Sequence, residues 1–200
     1  MLYRFGRRLL GPFFRGMYRM KIQGRQHIPQ EGKLILCCNH QSLLDPCLLS
    51  IAVPKRQVYY MAKSELFENH GKWFGGLLRR LGAFPVRRDT GDTSSMRRAR
   101  ELLEEGKILG IFPQGRCVKN GVPFQPKAGA AVIAAKTGAD ILPACIYSQG
   151  KIRLFRRVTV RFGPVIPFSQ MEESLHTRAG MKQAAGLLAQ RINGLLEEKY

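Results

Sequence analysis

His40 and Asp45 are the residues of this sequence best suited to move a proton. Imidazole accepts a proton near neutral pH, and a carboxylate on its other nitrogen fixes the tautomer and steadies the imidazolium. Such a pair can deprotonate an alcohol or a water. On one continuous helix five positions amount to about 140° of rotation, so the two side chains would not meet. They meet if His40 lies on the loop leaving a strand and Asp45 in the first turn of the helix that follows. A structural account also exists: Ser42 or Asp45 caps a helix that tolerates Pro46 in its first turn.

Two further clusters give such a base something to act on. Gly82-Ala83-Phe84-Pro85-Val86-Arg87-Arg88 sets two guanidinium groups at the end of a short strand. Ile111-Phe112-Pro113-Gln114-Gly115-Arg116 ends another strand in a polar, glycine-containing turn. In open α/β sheets ligands bind beyond the carboxyl ends of the strands, where His40, Arg88 and Arg116 are expected to project. Guanidinium forks grip phosphate bidentately. A base beside a phosphate clamp points to a phosphorylated substrate whose hydroxyl is activated.

The elements that must position these residues follow from periodicity. Residues 34–38 have no polar alternation and read as a buried strand. Further strands are expected at 18–23, 58–62, 83–86, 108–112, 141–147 and 158–162. Helices are expected at 47–53, at 72–81 with Trp73, Leu77 and Leu81 on one face, and at 93–105, closed by Gly106. Two more are expected: 128–137, closed by Gly138, and a final amphipathic helix carrying Met181, Ala184, Leu188, Ile192 and Leu195. Ser169 with Glu172 resembles a capping box before it. Alternating strands and helices predict a single α/β domain over residues 21–200, with a largely parallel sheet flanked by helices.

Residues 1–20 form a separate amphipathic helical segment. Leu2, Leu9, Leu10, Phe13, Met17 and Met20 fall on one side of a helical wheel, and Arg4, Arg8, Arg15 and Arg19 on a stripe opposite. That pattern suits a membrane interface with arginines at anionic headgroups, or a helix docked on the domain's own core. Pro12 is a possible break point.

The chain carries 33 Lys+Arg against 14 Asp+Glu, a formal net charge of +19, so a polyanionic partner is expected. Nucleic acid is disfavoured, because aromatics are not interleaved with the cations as stacking platforms require. Lys151, Arg153, Arg156, Arg157 and Arg161 suit a solvated face, a headgroup surface or a site for an anionic carrier. Five cysteines, none in a Cys-x-x-Cys pair, predict a reduced set without a metal site. Cys38 reads as a buried strand residue rather than a nucleophile. His27, His70 and His176 read as loop or surface residues. No spanning helix and no signal peptide are expected.

Asn39-His40-Gln41-Ser42-Leu43-Leu44-Asp45 resembles the His-x4-Asp block of the glycerolipid acyltransferases, the 1-acylglycerol-3-phosphate acyltransferase family. Gly82 to Arg88 resembles its second block, Phe112-Pro113-Gln114-Gly115 its third, and Ile141-Leu142-Pro143-Ala144 its fourth. Phe124 to Ala130 resembles the segment after the third. Four blocks in order over residues 35 to 146 are far more specific than one. The resemblance implies transfer of a fatty acyl group from an acyl-CoA or acyl-carrier-protein thioester to a glycerol hydroxyl of lysophosphatidate, or alternatively of glycerol 3-phosphate or another lysolipid, with no bound cofactor or metal. The enzyme would work as a peripheral or monotopic protein on the cytoplasmic face of an anionic membrane. His40 would be the general base, Asp45 its orienter, and Arg88 a binder of the acceptor's phosphate. Gln114 stands where the family usually has Glu, and Arg116-Cys117-Val118 where it has Thr-Arg-Ser. With Gly115, Gln114 and Arg116 are therefore the positions expected to set the acceptor. An amide there still hydrogen-bonds a hydroxyl but brings no charge.

Overall fold

The apolar runs become strands and the stripes of period 3.6 become helices. The computed structural model describes residues 2–69, 71–87, 92–118 and 123–197, without the side chains of Leu2, Arg4 and Lys72. His70 and Arg88 therefore lie outside the described residues. The helices are α1 (Leu2–Met17), α2 (Asp45–Ala52), α3 (Glu65–Glu68), α4 (Gly71–Arg80), α5 (Thr93–Glu104), α6 (Gly129–Thr137) and α7 (Arg178–Glu197). The strands are β1 (Lys21–Gln23), β2 (Leu34–Cys38), β3 (Val58–Lys63), β4 (Ala83–Val86), β5 (Ile108–Ile111), β6 (Asp140–Ser148) and β7 (Val158–Phe162).

These strands form one sheet in the order β1-β7-β6-β2-β5-β3-β4. β2 to β6 run parallel, and β7 turns back antiparallel against β6 with β1 beside it. β2 sits between β5 and β6, and all five of its residues are buried. Because strand side chains alternate, Ile35 and Cys37 join the layer of α5, α6 and α7 on one face. Leu34, Leu36 and Cys38 join Leu48 and Leu49 of α2 on the other. Each such burial contributes about 1.5–3 kcal/mol, so a central strand exposing nothing is a rigid base for the loop that leaves it.

Several expectations change. Pro12 does not break α1, which is continuous and docked on α2 through buried Tyr3 and Gly11. The side of α1 bearing Phe5, Leu9, Leu10 and Phe13 faces solvent, each residue at least half exposed. Arg15 is exposed as the cationic stripe requires, but it also reaches the domain. With Arg7 and Arg25 it donates to the carbonyls of Ile51, Val53 and Ala52, where the C-terminus of α2 lacks partners. The Trp73 face of α4 is not a core face, since Trp73 is 80% exposed; the helix instead seats Gly75 against the Phe67 backbone. Ser169 lies in a short 3-10 turn, and the cap of α7 is Thr177, whose hydroxyl accepts from Gly180 N–H. Arg161 is buried and donates to Gln23 and the Leu195 carbonyl, so it does not share the face of Lys151 and Arg153.

Candidate active site

β2 ends at Cys38, and the chain takes six residues to turn into α2. Asp45 is the first residue of that helix and Pro46 occupies its first turn, so the carboxylate points back over the loop. His40 Nδ1 lies 2.8 Å from Asp45 Oδ2. The same oxygen accepts the backbone N–H groups of Gln41 at 2.6 Å and Ser42 at 2.8 Å. Asp45 is fully buried, whereas the His40 side chain remains 13% exposed. A carboxylate held by two amides and a ring N–H is fixed in place. With Nδ1–H donated to it, Nε2 carries the lone pair. The loop-ordering and proton-transfer accounts of Asp45 are therefore compatible: one oxygen serves both.

The neighbouring strands hold the loop from either side. From β6, Ile146 donates its N–H to Asn39 Oδ1 and accepts from Asn39 Nδ2, at 2.8 and 3.0 Å. Asn39 thus extends the parallel ladder by one residue with its side chain. Gln41 Nε2 adds a bond to the same carbonyl. From the turn after β5, Gln114 Oε1 accepts the His40 N–H at 3.2 Å, and Val118 N–H donates to the His40 carbonyl at 2.7 Å. Phe112 stacks on the imidazole, ring centroids 4.2 Å apart, and Tyr60 stacks behind Phe112 at 6.0 Å. Gly115 takes φ +72°, and its N–H closes the turn on the Phe112 carbonyl.

The structure thus brings together His40, Asp45 and Gln114. Gln114 contacts the His40 loop through its carbonyl end, so that oxygen is engaged before any ligand arrives. Arg116 is exposed on the adjoining turn. Arg88 lies outside the described residues; its neighbour Arg87 donates its N–H to Asp92 Oδ2 at the start of α5. Donation from Arg87 N–H and the Ser94 hydroxyl holds the Asp92 carboxyl well below the usual range. Cys38 is buried, and desolvation pushes its thiol well up, as a structural cysteine requires. Asn39, Gln41 and Phe112 were not given roles by spacing. The available signal was an asparagine directly after a wholly apolar strand, a position that needs a partner. Among the described residues no cluster of His, Cys, Asp or Glu could hold a metal ion.

A family model described as Acyltransferase matches residues 19–147. The 1-acyl-sn-glycerol-3-phosphate acyltransferase of Bacillus subtilis is 34% identical over 144 residues, covering 68% of this chain and 70% of that one. The protein of the same name in Streptococcus pneumoniae is 30% identical over 182 residues, covering 84% of this chain and 67% of its own. The crystal structure of the 1-acyl-sn-glycerophosphate acyltransferase PlsC of Thermotoga maritima has the same fold. It superposes with a TM-score of 0.69 over 98% of this chain and 83% of that one, at 21% identity.

Proposed function

The chain belongs to the acyltransferase family, and from that premise we propose that it transfers a fatty acyl group from an acyl-CoA or acyl-carrier-protein thioester to the free glycerol hydroxyl of lysophosphatidate, in phospholipid synthesis at an anionic membrane surface. The observation that carries this reading is the 2.8 Å contact of His40 Nδ1 with buried Asp45, at the carboxyl end of a central parallel strand. His40 Nε2 removes the proton of the acceptor hydroxyl as its oxygen attacks the thioester carbonyl. The tetrahedral intermediate then expels the thiolate, the C–S bond breaks, and the imidazolium returns the proton to sulfur. Asp45 holds the ring in the required tautomer and offsets its positive charge during the step. Arg88 is assigned the acceptor's phosphate, with Gln114, Gly115 and Arg116 around its glycerol.

No helix among the described residues is long and apolar enough to cross a membrane. Docking through the exposed apolar side of α1 is the mode of attachment that fits this segment. The test is a turnover assay crossing both donor types with lysophosphatidate, glycerol 3-phosphate and other lysolipids. His40→Ala is expected to lower kcat by about 10²–10⁴-fold, the range of a general base, with an unchanged unfolding midpoint. Near-normal transfer by that variant would refute the mechanism. Preference for an acceptor other than lysophosphatidate would move the assignment to that lipid.

A further inference from the structure

The connection between β6 and β7, residues 149–157, lies at the catalytic end of the sheet. β6 runs parallel to β2, and its Ile146 is bonded to Asn39 beside His40. The loop that follows two residues later must emerge on the same edge, and antiparallel β7 carries the chain away again. The loop is tied to the end of α1: Phe155 N–H donates to the Met17 carbonyl at 2.7 Å, and Val158 N–H to that of Tyr18 at 3.0 Å.

Two residues at this junction are left-handed without being glycine, Phe155 at φ +62° and Arg19 at φ +42°. Each such conformation costs on the order of 1 kcal/mol. Its result is outward presentation: Phe155 is 73% exposed and its neighbour Leu154 52%. Arg19, Arg156 and Arg157 line an open cavity of about 790 Å³ beside them. Phe13, 62% exposed, lies one turn before Met17 on α1. Large apolar side chains held out of the core and surrounded by cations match an interface whose outer layer is anionic and whose inner layer is hydrocarbon.

We propose that the loop 149–157 is a second lipid-contacting element beside α1. Leu154 and Phe155 enter the acyl boundary of an anionic bilayer, and Arg19, Arg156 and Arg157 hold lipid phosphates in the cavity between loop and helix. This rests on the reading of the acceptor as a membrane lipid. An acidic carrier protein would satisfy the arginines, but a protruding Leu-Phe tip suits a fluid layer better than a folded surface. Two contacts, one on α1 and one on the loop, fix the orientation of the domain, with the His40 edge turned toward the lipid.

The test uses the full chain carrying Phe155→Trp with Trp73→Phe, which leaves one indole, at the loop tip. Vesicles of phosphatidylglycerol and phosphatidylcholine in equal parts are expected to shift its emission to the blue, and lipids brominated on the acyl chain to quench it. An unshifted spectrum from protein that floats with the vesicles would overturn the proposal, as would a shift produced by acyl carrier protein and not by vesicles. The variant L154S/F155S is expected to bind these vesicles at least about tenfold more weakly. It should lose turnover of vesicle-borne lysophosphatidate in proportion while retaining turnover of a short-chain, water-soluble one. Equal binding by variant and parent would refute the loop's role. A parent chain inactive on both acceptors would instead remove the acyltransferase reading, and the indole spectrum would still decide the loop.

Discussion

At the residue scale, the geometry of the His40 loop depends on the side chains that brace it. Asn39 takes the place of a strand residue by pairing with both polar groups of Ile146. Asn39→Leu leaves the buried Ile146 N–H unpaired while its carbonyl keeps the Gln41 amide, and such a loss costs about 1–3 kcal/mol. Urea unfolding should therefore show a destabilisation of about 1–3 kcal/mol, with acyl transfer falling further than the folded fraction does. Gln114 has two separable ends. Its Oε1 accepts from His40 N–H, which a carboxylate would do equally well, while its amide nitrogen brings donors where a glutamate brings charge. Gln114→Glu should therefore leave the unfolding midpoint within error and change the KM for the acceptor rather than for the thioester. Steady-state kinetics with each substrate varied in turn checks this. The histidine, the aspartate and the glutamine turn could be read from types and spacing. Asn39 and Phe112 acquire their roles from neighbours more than 50 positions away in the chain, and spacing does not encode such contacts.

At the scale of elements, the site is a property of three adjacent strands. β2 carries His40, β5 carries Phe112 and Gln114, and β6 carries Ile146. Gly110 shows how closely β3 packs on the other side of β5: a Cβ there would meet the ring of Tyr60 and, at 2.9 Å, Val58 Cγ1. Tyr60 stacks on Phe112 and Phe112 on His40, so the displacement would be passed to the imidazole. Gly110→Ala is expected to cost about 1–3 kcal/mol by overpacking, read by thermal unfolding, and to lower kcat in the protein that remains folded. Strands with unbroken apolar runs were legible within a residue or two, as were α5 and α6 with their stripes and stop glycines. The face of α4 was not, because Trp73, Leu77 and Leu81 have helical period whether a core or a solvent lies opposite. The cap of α7 was missed for a related reason: Ser169 and Glu172 have capping-box spacing, but the chain makes a 3-10 turn there before Thr177.

For the whole molecule, the proposed membrane attachment asks charge and exposed apolar surface to work together. A net charge of +19 attracts an anionic surface over roughly a Debye length, about 10 Å at 0.1 M salt, while Phe5, Leu9, Phe13 and Phe155 act only in contact. Raising the salt to about 1 M, where that length falls to roughly 3 Å, is expected to weaken vesicle association strongly without abolishing it. Flotation across a salt series measures both parts, and association independent of salt would deny the cations a role.

The sequence by itself determined the class of fold, the dyad and the family, because apolar period and short motifs are local quantities. Only the tertiary structure decided which side of α1 docks, that Arg161 is an internal ligand, and that Gln114 braces the His40 loop. Each of these depends on which distant backbone groups are left without partners, and that is settled only when the sheet assembles.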